Sequence, residues 1–403
     1  MNRSIMAAAA AALLTAVPSL ACTSVIVSGK VTPDGRPLMW KNRDTGSKEN
    51  VVKFIPATDS TFSYVAIVNP GQRSSVPWIG TNSKGFCIMN TQSYNITAEK
   101  DEDDDNGGFM KKALMLCADM HDFEHYMDTL TRPWKCSANF GVIDAMGNAA
   151  YYETNSMEYF KYDVNDGKVA PEGYLVRTNF SFHGRPTDQG RGHVRYLEAE
   201  RQMRIAAENN DFTPDFILNN MARDYCNPAL GIDYRSPDYK GEWALEHDII
   251  VRAKSTSSVV IQGVRAGENP GLTTMWTIVG YPGTTVAMPV WHDGGEEGLP
   301  RMVSPGENGL SPLAHHGYVL KENLYCWKTD DMGEKKYFSW RMLSNSEGTG
   351  YLQQVLALEP EILSPYKEAL EKWREAGEID KEQLKALNEV ADKRLETFIE
   401  ETK

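Results

Sequence analysis

The sequence lacks most of the short signatures that mark common enzymes and metal-binding proteins. Its six cysteines form no C-x-x-C pair, and no histidines lie at zinc-finger spacing from them. Both observations argue against a structural zinc site. There is no G-x-S-x-G elbow, no glycine-rich phosphate loop and no H-E-x-x-H motif, so the serine hydrolases, nucleotide-binding proteins and metalloproteases that carry them are excluded. The acidic run 99–106 lacks the ligand order of a calcium loop. We therefore expect no metal and no cofactor.

Positive charge is also scarce. The chain has 42 Lys and Arg against 55 Asp and Glu, which gives a net charge of −13 and a pI near 5.2. No basic cluster of the kind that binds a phosphate backbone is present. Nucleic acid is therefore not an expected partner. We expect a small-molecule partner, and a homo-oligomer stays open.

Long apolar runs are limited to one, near the start of the chain. Arg3 precedes the apolar stretch 5–17, and small residues lead up to Ala21. This stretch is shorter than the roughly 18 to 20 residues that cross a bilayer, so no integral membrane segment is predicted. The pattern is typical of a secretory signal peptide over residues 1–21, and it predicts an exported, periplasmic or secreted, chain that begins at Cys22. The alternative is a lipid-anchored binding protein with an acylated Cys22, although Ser19 stands where such signals usually carry Leu.

Strand patterns and helix patterns alternate after this leader. The β-branched segment 23–28, the turn 32–35 and the apolar segment 37–41 predict a β-hairpin. Further strand clusters alternate with helical segments, and two long helices rich in Glu and Lys end the chain. This order predicts an α+β layered fold, with a main domain at 22–320 and a largely helical extension at 321–403.

A mature chain that begins at Cys22 carries a thiol and an α-amine on the same residue. The amine has a reference pKa of about 7.7 to 8.0, which suits a general base near neutral pH. Arg43, near the end of the hairpin, would favour the thiolate, which is the attacking species. Asp44 would accept a hydrogen bond from the amine and hold it in place. The alternative for Asn42, Arg43 and Asp44 is an ordinary surface turn with a local salt bridge.

The spacing of these residues, together with four later segments, resembles a known family. A Cys-Thr-Ser strand start, a turn and a strand that ends in Arg and Asp resemble the choloylglycine hydrolase and penicillin acyltransferase superfamily of N-terminal-nucleophile hydrolases. The segments that extend the resemblance are GTNSKGFCIMN (80–90), ANFGVIDAMGNAAYYE (138–153), VRTNF (176–180) and IIVRAKSTSSVVIQG (249–263). They are more similar to the linear amide hydrolase branch than to the bile-salt enzymes.

The resemblance implies a four-layer αββα sandwich with Cys22 at the end of a central strand. It implies an exported cysteine amidase that cleaves a linear carbon–nitrogen bond through a Cys22 thioester, with the Cys22 α-amine as general base and no cofactor. Two related activities stay open, which are a dipeptidase of the same cysteine family and an acyltransferase to an amine acceptor.

The resemblance also implies roles for residues far from Cys22 in the sequence. It implies that the Asn179 side chain donates a hydrogen bond to the oxyanion of the tetrahedral intermediate. A backbone amide completes the oxyanion site in that family, and Asn90 or Gln92 would supply this second position. Arg252 would be a further active-site arginine. Bile-salt hydrolases space their basic and acidic residues as R-N-x-D, whereas Arg43 directly precedes the aspartate in this chain.

Overall fold

A computed structural model of the chain describes residues 21–71, 75–97, 104–325 and 336–402. Residues 1–20 of the predicted leader, residues 99–103 of the acidic run and Cys326 lie outside these described residues. Two large sheets make up the body of the molecule.

The first sheet contains β1 (Ala21–Val27), β2 (Leu38–Asp44), β10 (Tyr174–Arg177), β14 (Ser255–Gln262), β15 (Thr274–Val279) and β16 (Ala287–Trp291). The spatial order is β10-β1-β2-β14-β15-β16, and every neighbouring pair is antiparallel. The second sheet contains β3 (Val51–Ile55), β4 (Tyr64–Val68), β5 (Pro77–Asn82), β6 (Cys87–Gln92), β7 (Ser137–Ile143), β8 (Ala149–Asn155) and β9 (Tyr159–Asp163), in that spatial order.

The α-helices and two short ribbons account for most of the remaining regular structure in the described residues. The helices are α1 (Asn106–Leu116), α2 (Met120–Thr129), α3 (His193–Glu208), α4 (Pro214–Phe216), α5 (Pro312–Leu324), α6 (Trp340–Leu343), α7 (Tyr351–Ala376) and α8 (Lys381–Glu401). The ribbons pair β11 (Cys226–Asn227) with β12 (Ile232–Asp233) and β13 (Trp243–Glu246) with β17 (Lys336–Ser339).

The hairpin predicted at the start of the mature chain is present as β1 and β2. β1 is rich in β-branched residues, which favour a pleated and buried surface. The connecting turn contains Gly35 at φ 76°, a left-handed backbone that glycine adopts without strain. The register pairs Cys22 with Arg43. Because directly paired residues point to the same face of a sheet, these two side chains lie on one face.

The two sheets stack face to face, and helices cover both outer sides. β1 packs against β6 and β8, β2 packs against β7, and Ser24 Oγ lies 2.9 Å from Tyr151 Oη across this interface. α1 and α2 share a buried apolar core with the outer face of the second sheet. α3 packs on β1 and β10, and α7 packs on β16. The predicted α+β fold with four αββα layers is therefore confirmed.

The two long C-terminal helices belong to the layer outside the first sheet. α7 packs on α8, and both contribute buried side chains to the core that contains the first sheet. Arg223 Nη1 donates to Glu359 Oε1 of α7 at 2.8 Å, which ties this helix to the body through a buried ion pair. α5 runs across residue 320, and the division of the chain at that point stays a prediction. None of the described helices combines the length and the apolarity that crossing a bilayer requires.

Candidate active site

Cys22 is the second residue of β1 and is buried, with 6% of its surface exposed. Its N–H donates to Asn179 Oδ1 at 3.0 Å, and its carbonyl oxygen accepts from Arg195 Nη1 at 2.7 Å. Ala21 precedes Cys22 in this structure, so the nitrogen is a peptide nitrogen. It stands in for the α-amine that cleavage after Ala21 would produce. Side chains from two other parts of the chain therefore hold the backbone of the predicted nucleophile.

Arg43 lies directly opposite Cys22, on the face that meets the second sheet. Its Nη1 donates to Asn50 Oδ1, and its guanidinium carbon lies 4.5 Å from the ring centroid of Trp78. Burial lowers the pKa of Arg43 to about 9, and the nearby Cys22 opposes that shift. A guanidinium in this position favours a negative charge on the neighbouring sulfur.

Asp44 ends β2 and is 1% exposed, so this strand end is not the surface turn considered as an alternative. Its Oδ2 accepts from Arg252 Nε at 2.7 Å. Its Oδ1 accepts from Ser255 Oγ at 2.7 Å and from Asn42 Nδ2 at 3.0 Å. Burial by itself would lower the pKa of Arg252, but the attraction of the Asp44 carboxylate outweighs this effect, and the pKa is raised above its usual value. The residue opposite Asp44 on β1 is Ala21, the neighbour of the predicted nucleophile.

Asn179 contacts the Cys22 nitrogen through its side-chain carbonyl oxygen, Oδ1. Arg195 determines this orientation, because a guanidinium only donates hydrogen bonds and Arg195 Nη2 lies 2.8 Å from Asn179 Oδ1. Asn179 Nδ2 donates to the carbonyl oxygen of Gln92 at 2.9 Å. In this structure Asn179 is therefore an acceptor for the Cys22 nitrogen. Its implied role as an oxyanion donor stays a prediction.

Asn90 lies on β6 and contacts Lys41, which reaches across from β2. Lys41 Nζ donates to Asn90 Oδ1 and to the carbonyl oxygen of Trp78, both at 2.8 Å. Burial lowers the pKa of Lys41 to about 8, and the neighbouring Cys22 opposes this shift. The first sheet thus places two cationic side chains, Lys41 and Arg43, on the face that carries the thiol.

Gln92, the alternative to Asn90, has both of its side-chain amide atoms engaged elsewhere. Its Nε2 donates to Asp104 Oδ2 at 2.6 Å, and its Oε1 accepts from Asn106 Nδ2 at 2.7 Å. These contacts tie Gln92 to the start of α1. These side-chain contacts leave the backbone of Gln92 unaffected, and the choice between Asn90 and Gln92 for the second oxyanion position stays a prediction.

A cavity of about 360 Å³ opens beside the start of β1. Its lining consists of Ala21, Arg191, Gly192, Arg195, Asp248, Arg252 and Lys254. Four of these side chains are cationic and one is anionic, so the cavity has a net positive charge. The cavity reaches Ala21, and it therefore lies on the side of the Cys22 nitrogen.

Lys41 and Arg195 are site residues that the sequence reasoning missed. Lys41 opens the tetrapeptide Lys-Asn-Arg-Asp, which fits the R-N-x-D spacing with Lys in first place, and a residue-by-residue comparison would have found it. Arg195 lies 16 residues after Asn179, on α3, and no local motif marks it. Only the packing of α3 on β1 brings it to Cys22.

One group of metal-type side chains lies close together within the described ranges, namely Asp119, His121 and Asp122 at the start of α2. Asp119 Oδ1 and Asp122 Oδ2 both accept backbone N–H groups, as carboxylates at a helix start do. This cluster caps α2 and contributes nothing to the site around Cys22.

No protein-family model matches the chain. No curated protein matches it either.

Several solved structures are similar to it. A variant of the conjugated bile acid hydrolase from Clostridium perfringens has 10% sequence identity and a TM-score of 0.42, and the match covers 68% of this chain and 93% of that one. The Caenorhabditis elegans ortholog of N-acylethanolamine-hydrolyzing acid amidase has 14% identity and a TM-score of 0.39, with 62% and 93% covered. Penicillin V acylase from Agrobacterium tumefaciens has 10% identity and a TM-score of 0.33, with 67% and 85% covered.

Proposed function

We propose that this chain is an exported cysteine amidase that hydrolyses the linear carbon–nitrogen bond of an N-acyl amide through a thioester at Cys22. The observation that carries the proposal is the position of Cys22 at the start of β1. Arg43 lies opposite its side chain, and Asn179 Oδ1 accepts from its nitrogen. This places a thiol, a cation and a held nitrogen within one strand pair, which is what an N-terminal nucleophile requires.

The chemistry follows from cleavage after Ala21, which would turn the Cys22 nitrogen into an α-amine. The amine takes the thiol proton, and the thiolate attacks the acyl carbon, which forms an S–C bond and an oxyanion. The resulting ammonium gives its proton to the departing amine as the C–N bond breaks, and a thioester remains. The amine then deprotonates water, which hydrolyses the thioester to the free acid and restores the thiol.

The surroundings of the nitrogen suit a base. The cationic side chains of the cavity, Arg191, Arg195, Arg252 and Lys254, lie beside Ala21. Like charges disfavour a further positive charge, and with one carboxylate, Asp248, against four cations in the lining, the surroundings favour the neutral and proton-accepting form of an amine. Asn179 Oδ1 supplies the acceptor that holds one amine hydrogen and so directs the lone pair elsewhere.

Intact mass spectrometry of the purified exported protein, before and after incubation with a panel of N-acyl amides, tests this proposal. We expect a chain that begins at Cys22 and an acyl adduct that maps to Cys22 and that hydroxylamine removes. Cys22→Ala should form no adduct and release no acid. An adduct on another cysteine, or a diacylglyceryl mass on Cys22, would contradict the proposal.

The same experiment distinguishes the related activities. Formation of a new amide when a free amine is added would identify an acyltransferase. Release of free amino acids from dipeptides would identify a dipeptidase.

A further inference from the structure

A second group of reactive side chains lies at the edge of the first sheet that is far from Cys22. Ser63, which directly precedes β4, is joined by hydrogen bonds to His292 and then to Asp293. The last two residues belong to a single 3₁₀ turn that follows β16. β16 is the edge strand and lies four strand positions from β1, which is roughly 19 Å at the usual strand spacing. This group is therefore separate from the site around Cys22.

The distances within the group match those of a serine nucleophile and its base. Ser63 Oγ lies 2.8 Å from His292 Nε2, and His292 Nδ1 lies 3.1 Å from Asp293 Oδ1. A carboxylate only accepts hydrogen bonds, so Nδ1 carries a hydrogen and Nε2 of the neutral ring accepts from the Ser63 hydroxyl. This is the tautomer in which a histidine can remove the proton of a serine hydroxyl.

Packing holds the histidine and the aspartate in place. A Cβ built on Gly271 would lie 1.8 Å from Asp293 Oδ2, so the carboxylate occupies space that only a glycine leaves open. His292 is 8% exposed, and its ring centroid lies 5.4 Å from that of Phe54. The base and the group that orients it are thus fixed by their surroundings as well as by hydrogen bonds, which is what a nucleophilic site needs.

Ser63 also has an oxyanion donor of its own. Among the hydrogen bonds of the described residues, none uses the backbone N–H of Ser63 as the donor. In serine proteases the backbone N–H of the nucleophile is one of the groups that bind the oxyanion. Ser63 is half-buried and the Asp293 side chain is 35% exposed, so the group lies at the surface, where a ligand can reach it.

Two aromatic side chains beside the group indicate the kind of substrate. Phe62 precedes Ser63, Phe54 packs on His292, and both are half-buried. Apolar surface next to the hydroxyl favours a short apolar acyl group. An ester releases its alcohol more readily than an amide releases its amine, so it demands less of a site at the surface.

We propose that Ser63, His292 and Asp293 form a second nucleophilic site that hydrolyses short-chain esters. His292 Nε2 takes the hydroxyl proton as Oγ bonds to the acyl carbon, and this proton passes to the departing alkoxide as the C–O bond breaks. Water, deprotonated in the same way, then releases the acid and restores the hydroxyl. No G-x-S-x-G elbow surrounds Ser63, but such triads recur on unrelated folds and in different chain orders.

A fluorophosphonate probe and p-nitrophenyl butyrate test this inference in the Cys22→Ala variant, which lacks the competing thiol. We expect the phosphonyl group on Ser63, and ester hydrolysis that a further Ser63→Ala change abolishes. Ser83→Ala, at a neighbouring half-buried serine, is the matched control and should change neither. His292→Ala should lower both rates at least about 100-fold, which is the scale of a general base. A probe that leaves Ser63 unmodified, or hydrolysis that persists in Ser63→Ala, would overturn the inference.

Asp293 is a positioning residue in this proposal, because it orients the imidazole and does not touch the ester. In the same background Asp293→Asn should lower kcat for the butyrate about 100-fold and leave KM near its starting value. Gly271→Ala, which displaces the carboxylate, should lower kcat in the same way. Melting curves identify any variant that fails to fold. An unchanged kcat in folded Asp293→Asn would contradict the role of the triad.

The outcome at Ser63 is independent of the outcome at Cys22. Ser63→Ala in the chain that keeps Cys22 should still form the acyl adduct on the cysteine. Loss of that adduct together with retained folding would show that the two sites are coupled and would overturn the separate site proposed here. Absence of the adduct in the wild type would overturn the proposed function and leave the test at Ser63 unaffected.

Discussion

Replacing Asp44 by Asn perturbs both the stability and the chemistry of the site, and the structure allows the two effects to be separated. The carboxylate accepts from Arg252 Nε at its Oδ2, and from Ser255 Oγ and Asn42 Nδ2 at its Oδ1. The oxygen of an Asn side chain can replace one of the two carboxylate oxygens as an acceptor. Its NH₂ group then takes the place of the other oxygen and faces a donor. Arg252 also loses its closest carboxylate and keeps only the longer ion pair with Asp248 at 3.8 Å and the more distant attraction of Glu246.

The expected loss of stability is large because both partners are shielded from water. The Asp44 side chain is fully buried and that of Arg252 is 17% exposed. Removing one partner of a buried ion pair lowers the free energy of unfolding by about 3 to 5 kcal/mol. We expect Asp44→Asn to lower it by that amount in a guanidinium titration, and to lower kcat by about 100-fold if Asp44 also positions the amine.

The double variant Asp44→Asn with Arg252→Met separates the two effects. An apolar side chain in place of the arginine removes the uncompensated charge, so stability should largely return. The kcat should stay low, because the methionine does not restore the carboxylate. A loss below about 1 kcal/mol in the single variant would refute the assignment of a strong buried pair. Recovery of kcat in the double variant would refute a separate role for Asp44 in the reaction.

Three further outcomes are expected. A chain that retains Ala21, verified by mass, should melt like the mature protein and show no turnover, because it has no α-amine; full turnover would disprove the amine as base. Iodoacetamide should modify Cys22 faster than Cys87 or Cys117, since burial raises the pKa of both core thiols to about 12; peptide mapping that finds the main label on Cys87 would argue against the nucleophile. The kcat should fall as pH rises through about 8, where Lys41 loses its proton, and Lys41→Arg should move this fall to higher pH; an unchanged alkaline limb would assign it to another group. The groups that shift the Lys41 titration are Cys22 on β1 and Arg43 and Asp44 on β2. The contacts from β5 and β6 are a backbone carbonyl and a neutral amide.

The same titration gives the sign of a stability effect. Lys41 has a pKa of about 8 in the folded chain and an ordinary value of 10.5. Between these values the unfolded chain holds the proton and the folded chain does not, so the contribution of this group to the free energy of unfolding increases with pH over that window. Below pH 8 the full penalty of burying the charge is present. The difference between wild type and Lys41→Met in guanidinium titrations at several pH values measures it.

The local pattern was enough to predict the hairpin that carries Cys22. Strand residues on both sides of a turn with glycine determine β1, β2 and their pairing, which are local features of the chain. β5 was not predicted, because its proline and glycine disfavour a strand, and its pairing with β4 and β6 overrides that preference. A helical pattern also runs through residues 214–224, and there the structure has the short α4 followed by a π-helix at Ile217–Met221.

The charged residues of the site were harder to predict for a different reason. Lysine and arginine are usually exposed, so a sequence gives no reason to place Lys41 and Arg195 inside. Their burial depends on partners from distant parts of the chain, Asn90 for the first and Asn179 for the second. Motif spacing located Cys22 and its strand partner, while the orientation of the two amides depends on the assembled layers.

The residue just before α3, Gly192, has no side chain, and this absence has a consequence for Cys22. Gly192 has φ 83°, and a Cβ built on it would lie 2.3 Å from Arg195 Nη2. The Arg195 guanidinium occupies the space that a Cβ at position 192 would need, and from there it contacts Cys22 and Asn179. A side chain at position 192 would push Arg195 Nη2 from its place beside Asn179 Oδ1, although that residue forms no bond with the cysteine. Gly192 therefore supports the site around Cys22 by having no side chain, because even the methyl group of an alanine would overlap Arg195.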